Sequence, residues 1–332
     1  MTATPQIAVL VVCHRTAATA LLLKLLDSRF AVFVHVDART DLATTPLPLP
    51  SNAKLTEVRF PVFWGGFNMV RACREMVRVA RQELPQAKRY VLISGDALPV
   101  MPIDRLVDAL LDYNNEFMSL VPVQDDPTLR NVSQDEAMKR YNWLQPWRFQ
   151  NFSLWDNILT CPRTEVAAAD YFGIDQAAAQ RLRSEIHYEV TQPLLRRMPP
   201  RPKLFQQFFF GASWWALTKL AIDLIFDDMF DPKVEEFFQF METPDEFFFH
   251  CLIGRHKSFL DDLGRTWNWD LMFVDHDDPV RHQFGDDALE SSVFFECHAK
   301  TGSLFARKFN PARARAVSAA IENGTYLNLL RI

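Results

Sequence analysis

Glycine is scarce in this chain: there are 10 in 332 residues. None forms the Gly-x-Gly-x-x-Gly turn of a dinucleotide site or the glycine–lysine loop of a P-loop. The usual backbone cradles for dinucleotides and triphosphates are therefore missing, and bound phosphates would need side-chain cations or a metal. Gly211-Ala212-Ser213 does not fit a Gly-x-Ser-x-Gly elbow, and no His-Glu-x-x-His occurs. The 5 cysteines (Cys13, Cys73, Cys161, Cys251, Cys297) are scattered and show no Cys-x-x-Cys pairing. That argues against a disulfide framework or a zinc site and for a reducing compartment. No apolar run reaches the roughly 18 residues of a membrane span. The run 7–13 ends in His14-Arg15, and the first six residues carry no positive charge. The expected location is cytoplasmic. Asn131-Val132-Ser133 and Asn151-Phe152-Ser153 match the glycosylation pattern, which means little without a secretory signal. A net charge of −5 argues against a nucleic-acid partner.

What is present is an α/β rhythm. Short apolar runs at 7–13, 31–37, 54–58, 90–94 and 117–121 read as strands, several of them buried on both faces. Amphipathic stretches at 16–26, 66–84 and 103–111 read as helices. In the second of these, Met69, Cys73, Met76, Val77 and Ala80 form an apolar stripe with arginines opposite. Such alternation predicts a mostly parallel sheet flanked by helices. Residues 122–203 break the rhythm with a polar, Arg-, Gln-, Trp- and Pro-rich stretch, expected to be an insertion or lid, helical at 176–195. Past residue 205 the chain turns aromatic. The expected organisation is one domain over 1–310 with that insertion, then a C-terminal helix and tail at 311–332. The basic, apolar end 313–332 could touch a membrane surface or pack on the domain.

Several residues carry candidate chemistry, each with an ordinary alternative. Asp37 ends a strand where open α/β sheets bind ligands and could accept from a ribose or base; a turn aspartate would look the same. His14 ends the first strand on the same edge and could contact a nucleobase. Trp64, Gly65 and Gly66 open a helix and could let a ligand approach the backbone, or could make a tight turn. Asp96 could reach a sugar hydroxyl or a metal, its ordinary reading being a turn aspartate. Asp245-Glu246 could owe its place to a helix dipole; alternatively, one carboxylate in an aromatic pocket would make a general base. Arg307-Lys308, set between Phe305 and Phe309, could clamp phosphates or be surface charge. Asp275-His276-Asp277-Asp278 is a candidate metal cluster whose ordinary reading is a solvated loop. Trp267 and Trp269 would share a face on a strand, as a sugar platform or as core.

Six segments, taken in order, resemble the core-2/I-branching β-1,6-N-acetylglucosaminyltransferase family, which includes the peptide O-xylosyltransferases. They are Val34-His35-Val36-Asp37; Val62-Phe63-Trp64-Gly65-Gly66-Phe67; Leu92-Ile93-Ser94-Gly95 through Pro99; Gly211-Ala212-Ser213-Trp214-Trp215-Ala216-Leu217-Thr218; Pro244-Asp245-Glu246-Phe247-Phe248; and Leu304-Phe305-Ala306-Arg307-Lys308-Phe309. Residues 122–203 match poorly.

The resemblance implies a GT-A-like, Rossmann-related fold and an inverting, metal-independent transfer of N-acetylglucosamine or xylose. The donor would be a UDP-sugar and the acceptor a glycan hydroxyl. By position, Glu246 would be the base, and Arg307 and Lys308 the diphosphate clamp. His14, Asp37, Trp64 and Gly65 would touch the nucleoside. Asp96, Ser213, Trp214, Trp215 and Asp245 would line the sugar or acceptor. One departure stands out: the family's Ser-Gly-x-Asp-x-Pro has Ala97 at the aspartate position here, with the acid at Asp96. The lack of a membrane anchor suggests a bacterial-type enzyme. A metal-dependent sugar-nucleotide enzyme using Asp96 and the acids around His276, and a silent glycan-binding protein of the same fold, are the alternatives.

Overall fold

Seven consecutive apolar residues, Ile7–Cys13, form strand β1, and every one is buried. A strand without polar alternation needs cover on both faces, and β1 lies inside the main sheet, paired in parallel with a neighbour on each side. The computed structural model describes residues 4–62, 66–112, 114–123, 204–239, 241, 243–267, 271–274 and 302–307. After β1 come helix α1 (Thr16–Leu25), β2 (Phe30–Val36), β3 (Ala53–Leu55), α2 (Asn68–Glu83) and β4 (Arg89–Ser94). Then follow β5 (Leu98–Pro99), α3 (Ile103–Leu111), β6 (Val121–Pro122), β7 (Phe209–Phe210) and β8 (Trp215–Thr218). The last part holds α4 (Lys219–Met229), α5 (Pro232–Phe238), a 3-10 turn (Pro244–Glu246), α6 (Phe248–Gly254), α7 (Lys257–Asp262), β9 (Met272–Val274) and β10 (Phe305–Arg307).

The main sheet runs β3-β2-β1-β4-β8. Its first four strands are parallel, and β8 pairs antiparallel on β4. The chain steps from β1 to β2 to β3, then crosses back through α2 to add β4 on the other side of β1. The C-terminal ends of β1 and β4 therefore flank a topological switch point, where such sheets bind ligands. The apolar stripe of α2 faces inward: Met69, Cys73, Met76, Val77 and Ala80 are all buried. Thr218 and Asp231 cap α4 and α5 by accepting from Ala221 N and Lys233 N, which supplies partners for otherwise orphaned N–H groups.

Two small ladders complete the described sheets: β5-β10-β9 and β6-β7. The first matters for the site. β5 begins four residues past the end of β4, and β10 lies antiparallel to it, with Phe305 opposite Pro99 and Ala306 opposite Leu98. This ladder delivers Arg307 to the C-terminal end of β4. At the opposite end of β4, Arg89 and Glu116 form a fully buried pair at 3.5 Å. Arg89 also donates to the carbonyls of Leu110, Asp112, Asn115 and Ala216, while Glu116 accepts from Thr218 N and Oγ1. These bonds and the opposite charge offset part of the cost of burying Glu116, whose carboxyl pKa is still raised by burial above its ordinary value.

Three expected elements differ. The strand at 117–121 is reduced to a single bridge from Phe117 to Ala216 and the two residues of β6. The third strand stops at Leu55 rather than reaching residue 58; past it, Thr56 turns its hydroxyl to the carbonyl of Val58. Asp245 and Glu246 sit in the 3-10 turn ahead of α6, not in its first helical turn. The 122–203 insertion past Val123, the helix at 176–195 and the tail at 311–332 lie outside the described residues.

Candidate functional site

The C-terminal edge of the main sheet gathers most of the candidate residues that the structure describes. β1 ends at Cys13, so His14 and Arg15 fall at the turn into α1. They line a cleft of about 580 Å³ together with Thr16, Thr40, Asp41, Thr44 and Thr45. The His14 ring is exposed. Enough protein surrounds it that desolvation still lowers its pKa; Asp96 opposes that effect, and Arg15 and Arg307 reinforce it. The imidazole is thus neutral near pH 7 and able to act as donor or acceptor.

Asp96 follows β4 on the same edge and is 5% exposed. Its Oδ1 accepts from Ser94 Oγ at 2.5 Å and from Arg307 Nε at 3.2 Å. Burial alone would raise the Asp96 carboxyl, but Arg307, Ser94 and His14 outweigh it and hold the pKa below the ordinary value. Asp96 is therefore an anion near pH 7, committed to an internal cation. The residue expected at the sugar or acceptor is thus paired with Arg307.

Arg307 closes the group. One face of its guanidinium lies over the Trp214 ring at 5.2 Å, a favourable cation–π arrangement. Trp214 is 9% exposed and Trp215 is 0% exposed. Both tryptophans, expected as a wall near the sugar or acceptor, are buried. Trp214 is covered by Arg307, while Trp215 is drawn into the sheet opposite Leu92 and packs at a tilt against Phe249, with ring centroids 5.1 Å apart.

Asp245 joins this group through Ser213, whose Oγ donates to Asp245 Oδ2 at 2.7 Å. Glu246 is half-buried, and its carbonyl accepts from Gly211 N at 3.1 Å. The turn that holds both acids starts at Thr243, which has φ 46° and is the non-glycine residue with positive φ among the described residues. Such a conformation is strained for a β-branched side chain and persists only when its surroundings enforce it. A continuous path of contacts thus runs from Asp96 through Arg307, Trp214 and Ser213 to Asp245, one residue from Glu246.

Asp37 stands on the predicted edge, its N–H bonded to Cys13 O at 2.8 Å. Its carboxylate is engaged by Arg39. Oδ1 accepts from Arg39 N and Nε, and Oδ2 from Arg39 Nη2 at 2.7 Å. Arg59 adds a bond to its carbonyl. The residue expected at the nucleoside thus sits in an Asx turn. Its neighbour His35 is buried, with Nε2 accepting from Phe60 N. Trp64, Gly65, Lys308, Trp269 and the acids 275–278 lie outside the described residues. Trp267 donates to Asp261 Oδ1 at 2.7 Å.

Sequence reading missed Arg15, Thr16 and the threonines at 40, 44 and 45 as cleft residues. Arg15 and Thr16 could have been found from their place in the strand-to-helix turn after His14. The threonines belong to a loop that carries no motif. Among the described residues no group of three His, Cys, Asp or Glu side chains comes together as a metal site. No helix among them is long and apolar enough to cross a membrane. Compared with known families and with curated proteins, the chain matches neither a family model nor a curated sequence.

Proposed function

We propose that the protein is an inverting glycosyltransferase of GT-A-like architecture. It takes its sugar from a nucleoside diphosphate donor, UDP-linked by the resemblance of its motifs, and passes it to a glycan hydroxyl without needing a divalent cation. The observation that carries this reading is the position of Arg307, at the switch-point edge of a mostly parallel sheet and linked by contacts to the Asp245-Glu246 turn. Neither Nη of Arg307 donates a hydrogen bond to a described residue. A guanidinium with an uncommitted fork suits a phosphate.

In this reading Glu246 removes the proton from the acceptor hydroxyl as its oxygen attacks the anomeric carbon. The bond from that carbon to the diphosphate oxygen breaks in the same displacement. Arg307, with Lys308 beside it in sequence, stabilises the charge growing on the departing diphosphate, and fixed charge of this kind is usually the largest catalytic contribution. The open cleft at His14 and Arg15 is the place for the nucleoside side of the donor. The transferred sugar is N-acetylglucosamine or xylose.

Titration calorimetry with a panel of nucleotide sugars, each with and without EDTA, tests the reading. A UDP-sugar should bind equally well in both conditions. Binding that appears only with added divalent metal would replace this reading with a metal-dependent sugar-nucleotide enzyme. Glycan binding without any nucleotide binding would make the protein a silent glycan binder.

A further inference from the structure

Arg307 is held in two independent ways. Its Nε donates to Asp96 Oδ1, which fixes one edge of the guanidinium. The ring of Trp214 lies under one face, which fixes the plane. Asp96 is itself immobilised: it is 5% exposed and bonded to Ser94 Oγ, the last residue of β4. The backbone reinforces the pairing, since β10 runs antiparallel to β5 with Ala306 opposite Leu98. Continuing that register sets Arg307 beside Ala97 and within reach of Asp96. Ala97 is fully buried and small, so it leaves room for the arginine. With one edge and one face engaged, the two Nη groups are what remains for a ligand.

We infer that Asp96 is a positioning residue for Arg307, holding the guanidinium so that its Nη fork meets a phosphate of a nucleoside diphosphate. This rests on the glycosyltransferase reading above. It gives the acid at 96 a role distinct from sugar contact and explains why a carboxylate is kept beside an anion site. On charge alone Asp96 should weaken phosphate binding, because it neutralises the nearest cation. On geometry it should strengthen binding. A long arginine loses much rotamer entropy when a ligand orders it, and a pre-set one loses less. The two effects have opposite signs, so one substitution separates them. Asp96→Asn keeps the shape and removes the charge. It should bind UDP more tightly if only charge counts, and more weakly if Asp96 positions Arg307.

The experiment is a double-mutant cycle read by calorimetric UDP binding to the full chain: wild type, Asp96→Asn, Arg307→Ala and the double variant. Asp96→Asn should weaken UDP binding about tenfold, the scale of one charge-assisted hydrogen bond. The double variant should bind no worse than Arg307→Ala alone, because Asp96 has nothing left to position. Arg307→Lys keeps the charge but lacks the Nε anchor and the fork. It should also lose about tenfold, and it keeps the test available if Asp96→Asn does not fold. Unchanged or tighter binding by Asp96→Asn, a further loss in the double variant, or wild-type affinity in Arg307→Lys would each overturn the inference while leaving the glycosyltransferase reading intact. No UDP binding by the wild type would overturn both.

Discussion

At the scale of single residues, the outcome turned on which polar groups were already satisfied inside the fold. Asp37 and Asp96 both stand at strand ends on the ligand-binding edge, as their spacing suggested. Asp37 gives its carboxylate to Arg39, and Asp96 gives its to Arg307. Glu246 is a half-buried acid of the strained turn that opens at Thr243. A general base contributes roughly 10²–10⁴-fold to a proton-transfer step. Glu246→Gln should therefore lower kcat by about that factor and leave the donor dissociation constant nearly unchanged. Single-turnover kinetics with the donor found by calorimetry checks this, and near wild-type turnover would remove Glu246 from the role.

At the scale of elements, close approaches of backbone position the site. Gly211, four residues ahead of β8, bonds through its N–H to Glu246 O at 3.1 Å and so ties the two candidate segments together. A Cβ at this position would lie 1.8 Å from Ser119 O and 2.8 Å from His250 Nε2. A backbone carbonyl cannot yield as a flexible side chain can. Gly211→Ala should therefore destabilise the protein by about 1–3 kcal/mol or more and displace the Glu246 turn. Urea unfolding would register this as a lower midpoint, and a wild-type midpoint would show that the segment yields freely. Gly95 is tight for a related reason: a Cβ there would lie 2.2 Å from Thr19 Oγ1, the group that bonds Cys13 Sγ at 3.1 Å.

At the scale of the whole molecule, buried titratable groups set how stability depends on pH. His35 and His250 are fully buried. Burial lowers their pKa to about 4 for His35 and about 3 for His250, from an ordinary 6.5. In the window between, the unfolded chain binds more protons than the folded one. The stability these neutral imidazoles contribute is fully present above 6.5 and is lost as pH falls through that window, by up to about 1.4 kcal/mol per pH unit for each. Glu116, whose carboxyl is raised by burial against its bonds from Thr218 and the charge of Arg89, works in the opposite sense just above its ordinary 4.5. Asp96, with its lowered pKa, adds to the loss only below 3.8. Urea midpoints measured from about pH 7 down to about pH 4.5 should fall, with a shallower fall in His250→Gln. A flat midpoint would mean that these imidazoles are not buried neutral.

The sequence by itself determined the rhythm of the first half. Uninterrupted apolar runs such as Ile7–Cys13 must be covered on both faces, and the stripe on α2 can bury in only one direction, so strand, helix and face were all readable. It also marked the ligand edge, because residues that end strands in a parallel sheet share one end of it. It could not tell that Trp214 and Trp215 would both be buried, since burial depends on what packs around each ring. Nor could it foresee that the 117–121 run would shrink to a bridge at Phe117 and the start of the two-residue β6, because pairing needs a partner strand of matching length. The decisive pairing, Asp96 with Arg307, spans 211 residues. No local pattern encodes a contact at that separation. Only the β5–β10 ladder brings the acid at the end of β4 to the cation at the end of β10. Whether a charge is left for a ligand or consumed within the fold is a property of that three-dimensional neighbourhood.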